Sequence, residues 1–552
     1  MMKVHSVFVV LTALATCSVI VVLRHTGVMT VVSIVHSGQH QLASQLCGAT
    51  RQSSAQRCSE GLQLNHEYAK GEGKERSEPE RVMRDGGRLI RGRGGGGIEE
   101  QVANEREGDK ESREEEERVV SRIETCLLAT NVSKYLEEQG YLSVAYDNGR
   151  NMIRTLRKII PRTFSTDYFS PCWKADFNGS IQLQNQTVKW VVDGREIVTP
   201  FSSLVTRAAI QFFSHHKRTV SSPLICLPKI FNLGFSKCGS GYLYCVMGRR
   251  FSGGPGVQAP KEPRWWTHHQ IASMFHSSKP ALEYIPPYLF NFLATSVELA
   301  SGRSKYQQPL TIDGSPDMIF NWPQWYKEDE HTLTNYCLVP AILSEVLPAS
   351  KYVVIMRNPV ERLYSSFWFS CHSDRNATLF LQNLSHLGPD IFHERIKSKV
   401  KHFVECIRTY PVAVCMSDIR HSYHSQSDSL STFNCGKTAL ESAFYYVHIQ
   451  RWLSVIPRKN FVFLTMEELS ADIDLVEEKI LTLLGSTLPH HLTLRNEDLS
   501  VCNKRKHFQS SYRDNPRLHM RADTRKMLTD LYRPYNQMLA NLLGEDKFLW
   551  ES

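Results

Sequence analysis

The 14 cysteines of this 552-residue chain include no CxxC pair, so the paired spacing of a structural zinc site is missing. Its 22 histidines fall into no metal-ligand spacing either, and the chain reads as one with no metal. A charge excess of one sign is small. The net +9 suits an anionic partner without requiring nucleic acid, and none is expected. Long apolar runs are almost absent. The one exception is Val7 to Leu23, flanked by Lys3 and His5 before it and Arg24 and His25 after it. That run is at the low end of what spans a bilayer as a helix, about 17 residues. Ala13-Leu-Ala15 would allow a cleaved signal peptide instead. The apolar continuation through Val19–Leu23 favours an uncleaved anchor over residues 1–24, with the rest of the chain on the far side of the membrane.

Within residues 25–122, the stretch from about Gln39 to Arg122 is poor in apolar side chains and rich in glycine and mixed charge, as in Arg91-Gly-Arg-Gly-Gly-Gly-Gly97 and Arg113-Glu-Glu-Glu-Glu-Arg118. Such a composition buries too little surface to offset chain entropy. It reads as a disordered stem, with an Arg-Gly segment binding RNA or acidic polymers as the rival. Scattered cysteines point to disulfides in a secretory lumen. If Cys17 lies in the membrane, thirteen remain, so at least one thiol is free or pairs between chains. The sequons at Asn131, Asn178, Asn185, Asn376 and Asn383 agree with a lumenal glycoprotein. Residues 123–221 regain globular character as an N-terminal subdomain, with a hairpin over 182–198 turning at Asp193-Gly194.

The chemistry lies in residues 222–552. Ile230–Leu233 reads as a buried strand. A turn holding Gly234, Lys237, Cys238, Gly239, Ser240 and Gly241 follows, and then a helix. Strand, glycine-rich turn and helix aim backbone N–H groups at an anion. A Walker A loop puts its lysine directly after the second glycine, whereas Lys237 precedes Gly239 by two residues. With no Mg²⁺-binding acidic motif beside it, a nucleotide triphosphatase or kinase is disfavoured.

Lys261-Glu262-Pro-Arg264-Trp265-Trp266 comes next. Its carboxylate can serve as a base, its cations can meet anionic groups, and its indoles can stack on sugar rings. A salt-bridge cluster beside two core tryptophans would read the same way. Lys351–Met356 is a second strand. It ends at Arg357-Asn-Pro-Val-Glu-Arg-Leu-Tyr-Ser365, where Arg357 and Ser365 can reach one phosphate. Helices are predicted over 338–347, 444–453, 475–484 and 524–543, and a third strand over 460–465. Lys504-Arg505-Lys506 is either an anion clamp or a solvated loop.

Cys226-Leu-Pro, Lys237-Cys-Gly-Ser, Lys261-Glu-Pro-Arg-Trp-Trp, Gly314-Ser-Pro, Arg357-Asn-Pro to Ser365 and Tyr532-Arg-Pro-Tyr to Trp550 occur in one order. In that order they resemble the Golgi carbohydrate sulfotransferases, in particular the type that 6-O-sulfates N-acetylgalactosamine 4-sulfate. The resemblance implies an α/β fold of the P-loop-like sulfotransferase kind, with a parallel central sheet flanked by helices. It also implies 3′-phosphoadenosine 5′-phosphosulfate as donor and a type II Golgi membrane protein. Lys237, Cys238, Gly239, Ser240 and Gly241 would form the 5′-phosphosulfate loop, and Arg357 and Ser365 would hold the 3′-phosphate. Glu262 would be the base, with Lys261, Arg264, Trp265 and Trp266 at the acceptor and Lys504 and Arg505 covering the donor. Two positions depart from the family: Gly241 stands where a second hydroxyl residue is common, and Arg264 where relatives have His. The acceptor expected is a sulfated glycosaminoglycan such as chondroitin or dermatan sulfate. Another glycan, or a non-catalytic polysaccharide-binding membrane glycoprotein, are the alternatives. Homo-oligomerisation stays open.

Overall fold

The computed structural model describes residues 8–9, 18–25, 28–35, 96–174, 181–184, 187–192, 195–200, 219–220, 224–251, 262–266, 288–289, 292, 310–320, 332–373, 388–422, 439–485, 502 and 515–550. The chain divides into two compact units, Met1–Arg93 and Gly94–Ser552.

In the first unit, β1 (Phe8–Val9), β2 (Ser18–His25) and β3 (Val28–Val35) form an antiparallel sheet in that order. The stretch expected to cross a bilayer as a helix is thus extended wherever it is described. β-Branched residues dominate β2 and β3, and such side chains favour strand over helix. Among the described residues no helix is long and apolar enough to cross a membrane.

The second unit begins with α1 (Gly96–Ala129), which corrects the disordered stem expected up to residue 122. Val119, Ile123, Cys126 and Leu127 are buried at helical spacing. They face α3 (Leu142–Leu156), which follows the short α2 (Ser133–Glu138). A Cβ on Gly149 would lie 2.5 Å from Ile123 Cδ1, so glycine permits the two helices their close approach. The acidic run that looked solvated is one side of this interface. Arg154 grips Glu116 through Nε at 3.0 Å and Nη2 at 2.7 Å, and Arg157 Nε donates to the buried Glu115 at 2.7 Å.

β4 (Cys172–Lys174) pairs antiparallel with β9 (Leu224–Cys226), and the Cys172–Cys226 disulfide joins them. Between them in sequence lie β5 (Ile181–Gln184), β6 (Thr187–Val192), β7 (Arg195–Pro200) and β8 (Thr219–Val220), in the order β7-β6-β5-β8. β6 and β7 pair antiparallel from Val192↔Arg195 outward; the turn expected at Asp193-Gly194 lies outside the described residues. One buried cluster runs from Val119 to Phe548. Residues on both sides of the expected boundary at 221 therefore share one core.

The central sheet holds β10 (Ile230–Gly234), β11 (Ile312–Asp313), β12 (Lys351–Met356) and β13 (Phe461–Thr465), all parallel, in the order β11-β10-β12-β13. These strands are almost wholly buried, which is why the longer ones read as continuous apolar runs. Its helices are α4 (Ser240–Phe251), α5 (Leu338–Val346), α6 (Pro359–Ser373), α7 (Gly388–Cys406), α8 (Val412–Ser422), α9 (Tyr445–Leu453), α10 (Met466–Ala471), α11 (Ile473–Leu484) and α12 (Ala522–Leu543). From β10 the chain passes to β11 on one side and then to β12 on the other. That reversal makes the carboxyl ends of β10 and β12 a topological switch point, where open α/β sheets bind ligands.

Candidate active site

The β10–α4 turn stands at one side of the switch point. Lys237 and Gly239 adopt left-handed φ of 69° and 86°. A Cβ on Gly239 would also lie 3.3 Å from Leu469 Cδ2, so space and backbone both favour glycine there. α4 begins directly at Ser240, and Asn232 Nδ2 ties that start to the strand by donating to the Ser240 carbonyl at 2.9 Å. The Lys237 ammonium lies 3.8 Å from the centroid of the Phe369 ring. Cys238 turns inward. Its thiol is free and buried, lies 3.6 Å from the Tyr445 hydroxyl, and is pushed up to about 11 by burial. Only the backbone of Cys238 could therefore face an anion at the loop, and its N–H already donates to the Phe235 carbonyl at 3.3 Å.

On the other side, Asn358 caps α6 by accepting from the Val360 N–H at 3.0 Å, with Pro359 in the first turn. This cap sets Arg357 at the mouth of the sheet and Ser365 about two turns along. Arg357 is buried, and its Nη2 donates to Glu361 Oε2 at 3.4 Å. Arg357 Nη1 and Ser365 Oγ are both buried and find no hydrogen-bond partner among the described residues. Buried polar atoms of this kind cost about 1–3 kcal/mol each. A phosphate between them would satisfy a guanidinium and a hydroxyl together, so these residues fit the anionic group that the motif implies.

Glu262 joins the same edge of the sheet from a third direction. Glu262 and Arg264 both have left-handed φ, 63° and 54°, an uncommon backbone state for residues with a Cβ. Arg264 Nη2 donates to Glu262 Oε2 at 2.6 Å, its Nε lies 3.3 Å from Asp317 Oδ2, and its backbone N–H donates to Ser315 Oγ at 2.9 Å. The strained segment is thereby pinned to the turn after β11. That turn leans on the β10–α4 unit: a Cβ on Gly314 would lie 2.4 Å from Tyr244, and one on Gly234 would lie 2.5 Å from Ile319. Beneath it Asp313 accepts from Tyr288 OH and from the Ser315 N–H, each at 2.9 Å. Burial raises the Asp313 carboxyl to about 6, against the lowering effect of those hydrogen bonds.

The expected pyranose platform is corrected here. Trp265 and Trp266 are 4% and 0% exposed. They pack edge to face with each other, and Trp265 stacks on Tyr288 while Trp266 meets it edge to face, so they are core and hold the segment in place from below. Lys261, Lys504 and Arg505 lie outside the described residues, as do Asn178, Asn185, Asn376 and Asn383. Asn131 is exposed between α1 and α2. Cys502, two residues before Lys504, is disulfide-bonded to Cys245 of α4. Among the described residues no group of three or more His, Cys, Asp or Glu side chains is placed to hold a metal ion.

Arg362 was not singled out from the sequence, yet it binds the Lys237 loop. It is buried, and it donates from Nε to the Ser236 carbonyl at 3.1 Å, from Nη2 to Ser236 Oγ at 3.1 Å, and from Nη1 to Ala439 O at 3.2 Å and to Ser442 Oγ. A second arginine five residues after Arg357 was the signal available. Tyr445 gave none, since its hydroxyl acts from a helix that reads as ordinary core.

The sulfotransferase domain matches residues 228–535. Human carbohydrate sulfotransferase 15 is 24% identical over 411 residues, covering 71% of this chain and 67% of its own length. Human bifunctional heparan sulfate N-deacetylase/N-sulfotransferase 2 is 24% identical over 246 residues, 43% of this chain and 23% of its own. The solved sulfotransferase of Alicyclobacillus acidocaldarius aligns with 58% of this chain and 98% of its own at 15% identity and a TM-score of 0.34, a likeness to which no weight is attached.

Proposed function

The chain belongs to the sulfotransferase domain family, and from that premise we propose that it transfers a sulfuryl group from 3′-phosphoadenosine 5′-phosphosulfate to a sugar hydroxyl. The acceptor proposed is the 6-hydroxyl of N-acetylgalactosamine 4-sulfate in chondroitin or dermatan sulfate. The similarity to carbohydrate sulfotransferase 15 over most of the chain supports this choice. The observation that carries the donor assignment is the pair of orphaned atoms, Arg357 Nη1 and Ser365 Oγ, across the switch point from the Lys237 loop.

The donor supplies an activated sulfuryl group, whose S–O bond to phosphate breaks as the bond to the sugar oxygen forms. Arg357 and Ser365 bind its 3′-phosphate and fix the register of the nucleotide. The Lys237 ammonium and the N–H groups around Gly239, Ser240 and Gly241 stabilise charge growing on the oxygen that leaves. Glu262 takes the acceptor hydroxyl proton, and Arg264 holds that carboxylate in one orientation. Lys504 and Arg505 are assigned to cover the donor; Cys502, which precedes them in sequence, is disulfide-bonded to Cys245 of α4.

Residence in the Golgi lumen, behind an N-terminal anchor, is part of the same proposal. The disulfides Cys126–Cys337, Cys172–Cys226, Cys245–Cys502 and Cys406–Cys415 and the exposed sequon at Asn131 support an oxidising compartment. The test is transfer of labelled sulfate from the donor to a panel of desulfated and sulfated glycans, with the modified hydroxyl mapped. Label at C6 of N-acetylgalactosamine 4-sulfate is the expected result. Label on another glycan alone would move the acceptor, and no transfer to any glycan would overturn the proposal.

A further inference from the structure

Tyr445 opens α9, an element belonging to neither half of the donor site, yet its side chain touches both. Its hydroxyl donates to the Arg357 carbonyl at 2.9 Å. That spends its one proton, so its lone pairs are left for the Cys238 thiol at 3.6 Å. Its ring lies against Phe235, with centroids 4.4 Å apart. Phe235 and Cys238 are the residues on either side of Ser236 and Lys237. One buried side chain therefore holds the loop at both its shoulders and the main chain of Arg357 at a third point. Tyr445 is 1% exposed, and burial keeps its hydroxyl protonated by raising it well above its ordinary value. The neighbouring thiol stays an S–H for the same reason. Neither group is placed to react, and both are placed to hold.

We infer that Tyr445 is a positioning residue that sets the spacing between the Lys237 loop and Arg357, so that a nucleotide with an anionic group at each end is gripped at both ends at once. The inference rests on the donor reading above and adds to it the element that joins the two grips. A rigid bridge matters because a ligand held at two points loses affinity when the points drift, even if each keeps its own contacts. A ligand held at only one point does not sense that spacing.

The test is calorimetric titration of the full chain, as wild type, Tyr445→Phe and Cys238→Ala, with two probes. 3′-Phosphoadenosine 5′-phosphate carries both anionic groups, whereas adenosine 5′-phosphosulfate lacks the 3′-phosphate. Tyr445→Phe keeps the ring on Phe235 and removes only the hydroxyl. It is expected to weaken the first probe about five- to tenfold, the worth of one buried hydrogen bond, while the second changes by less than about twofold. Cys238→Ala removes one of the two loop contacts of the bridge, leaving Phe235 on the Tyr445 ring, and is expected to show the same selectivity, so the result does not hang on one variant folding. Equal weakening of both probes, or no change in either, overturns the bridge and leaves the donor reading standing. A folded wild type that binds neither probe overturns the donor reading, and the bridge with it.

Discussion

The ammonium of Lys237 sits over the ring of Phe369, 3.8 Å from its centroid, and Phe369 is itself 49% exposed. The lysine proposed to act on the leaving oxygen thus has its position set by an aromatic on α6, the helix that also carries Ser365. A cation over a half-exposed ring gains about 0.5–1 kcal/mol. Phe369→Leu keeps the bulk and loses the ring's negative face. It is expected to lower kcat about two- to fivefold with the donor KM unchanged. A fall in donor affinity with kcat intact would show that the ring serves donor binding and not the lysine.

Glu262 is pinned by Arg264 to the turn after β11, and the proposed chemistry asks it to accept a proton. Glu262→Gln preserves shape and hydrogen bonding but cannot take that proton. A loss in kcat of about 10²–10⁴ is expected, with affinity for 3′-phosphoadenosine 5′-phosphate within about twofold of wild type. Steady-state kinetics paired with equilibrium binding checks both halves. Retained turnover in the variant would remove Glu262 from the mechanism.

Ser365 Oγ is buried without a partner among the described residues, so in the free protein its hydroxyl is a cost. Ser365→Ala is expected to leave Tm unchanged or slightly raised while weakening 3′-phosphoadenosine 5′-phosphate about tenfold. Arg357→Ala, which removes a charged donor, should weaken the same ligand more, by about 10- to 100-fold. Melting curves with and without the nucleotide separate the two effects. A lowered Tm in unliganded Ser365→Ala would mean that the hydroxyl serves the fold.

The catalytic sheet was largely legible because buried parallel strands are continuous apolar runs. β10, β12 and β13 fall within a residue of where Ile230–Leu233, Lys351–Met356 and Asn460–Thr465 put them. β11 escaped notice because two residues are too few to show a period. The helix over 96–122 escaped for another reason. Glu115, Glu116 and Glu117 have the same composition whether they face water or Arg157, Arg154 and Arg150, which follow them by 42, 38 and 33 residues, and only the fold brings those partners together. Trp265 and Trp266 show the matching ambiguity, since an indole suited to a sugar ring is equally suited to a core. The positions of Lys237, Arg357 and Ser365 in the fold could be read because loop spacing and strand ends fix where such side chains emerge. Tyr445 and Arg362 could not, because their roles depend on which loop lies above them.

Asp313 gives a pH signature to the turn that holds Glu262. Its carboxyl is wholly buried and rises from 3.8 to about 6, mainly through desolvation, with Ser315 and Tyr288 opposing the rise. A carboxyl whose folded value lies above its unfolded one binds its proton more tightly in the native state. Its stabilising contribution is therefore full below about pH 4 and is lost as pH rises through about 6. The difference is worth about 3 kcal/mol. Asp313→Asn cannot ionise, so it lacks this term while keeping a side-chain oxygen for the Ser315 N–H. The stability of wild type relative to Asp313→Asn is thus expected to fall between pH 4 and pH 7 by up to about 3 kcal/mol, measured by denaturant unfolding of both proteins across that range. Taking the difference cancels the other carboxylates, which titrate alike in the two chains. A flat difference would place the ionisation of Asp313 below pH 4 and show that its hydrogen bonds outweigh its burial.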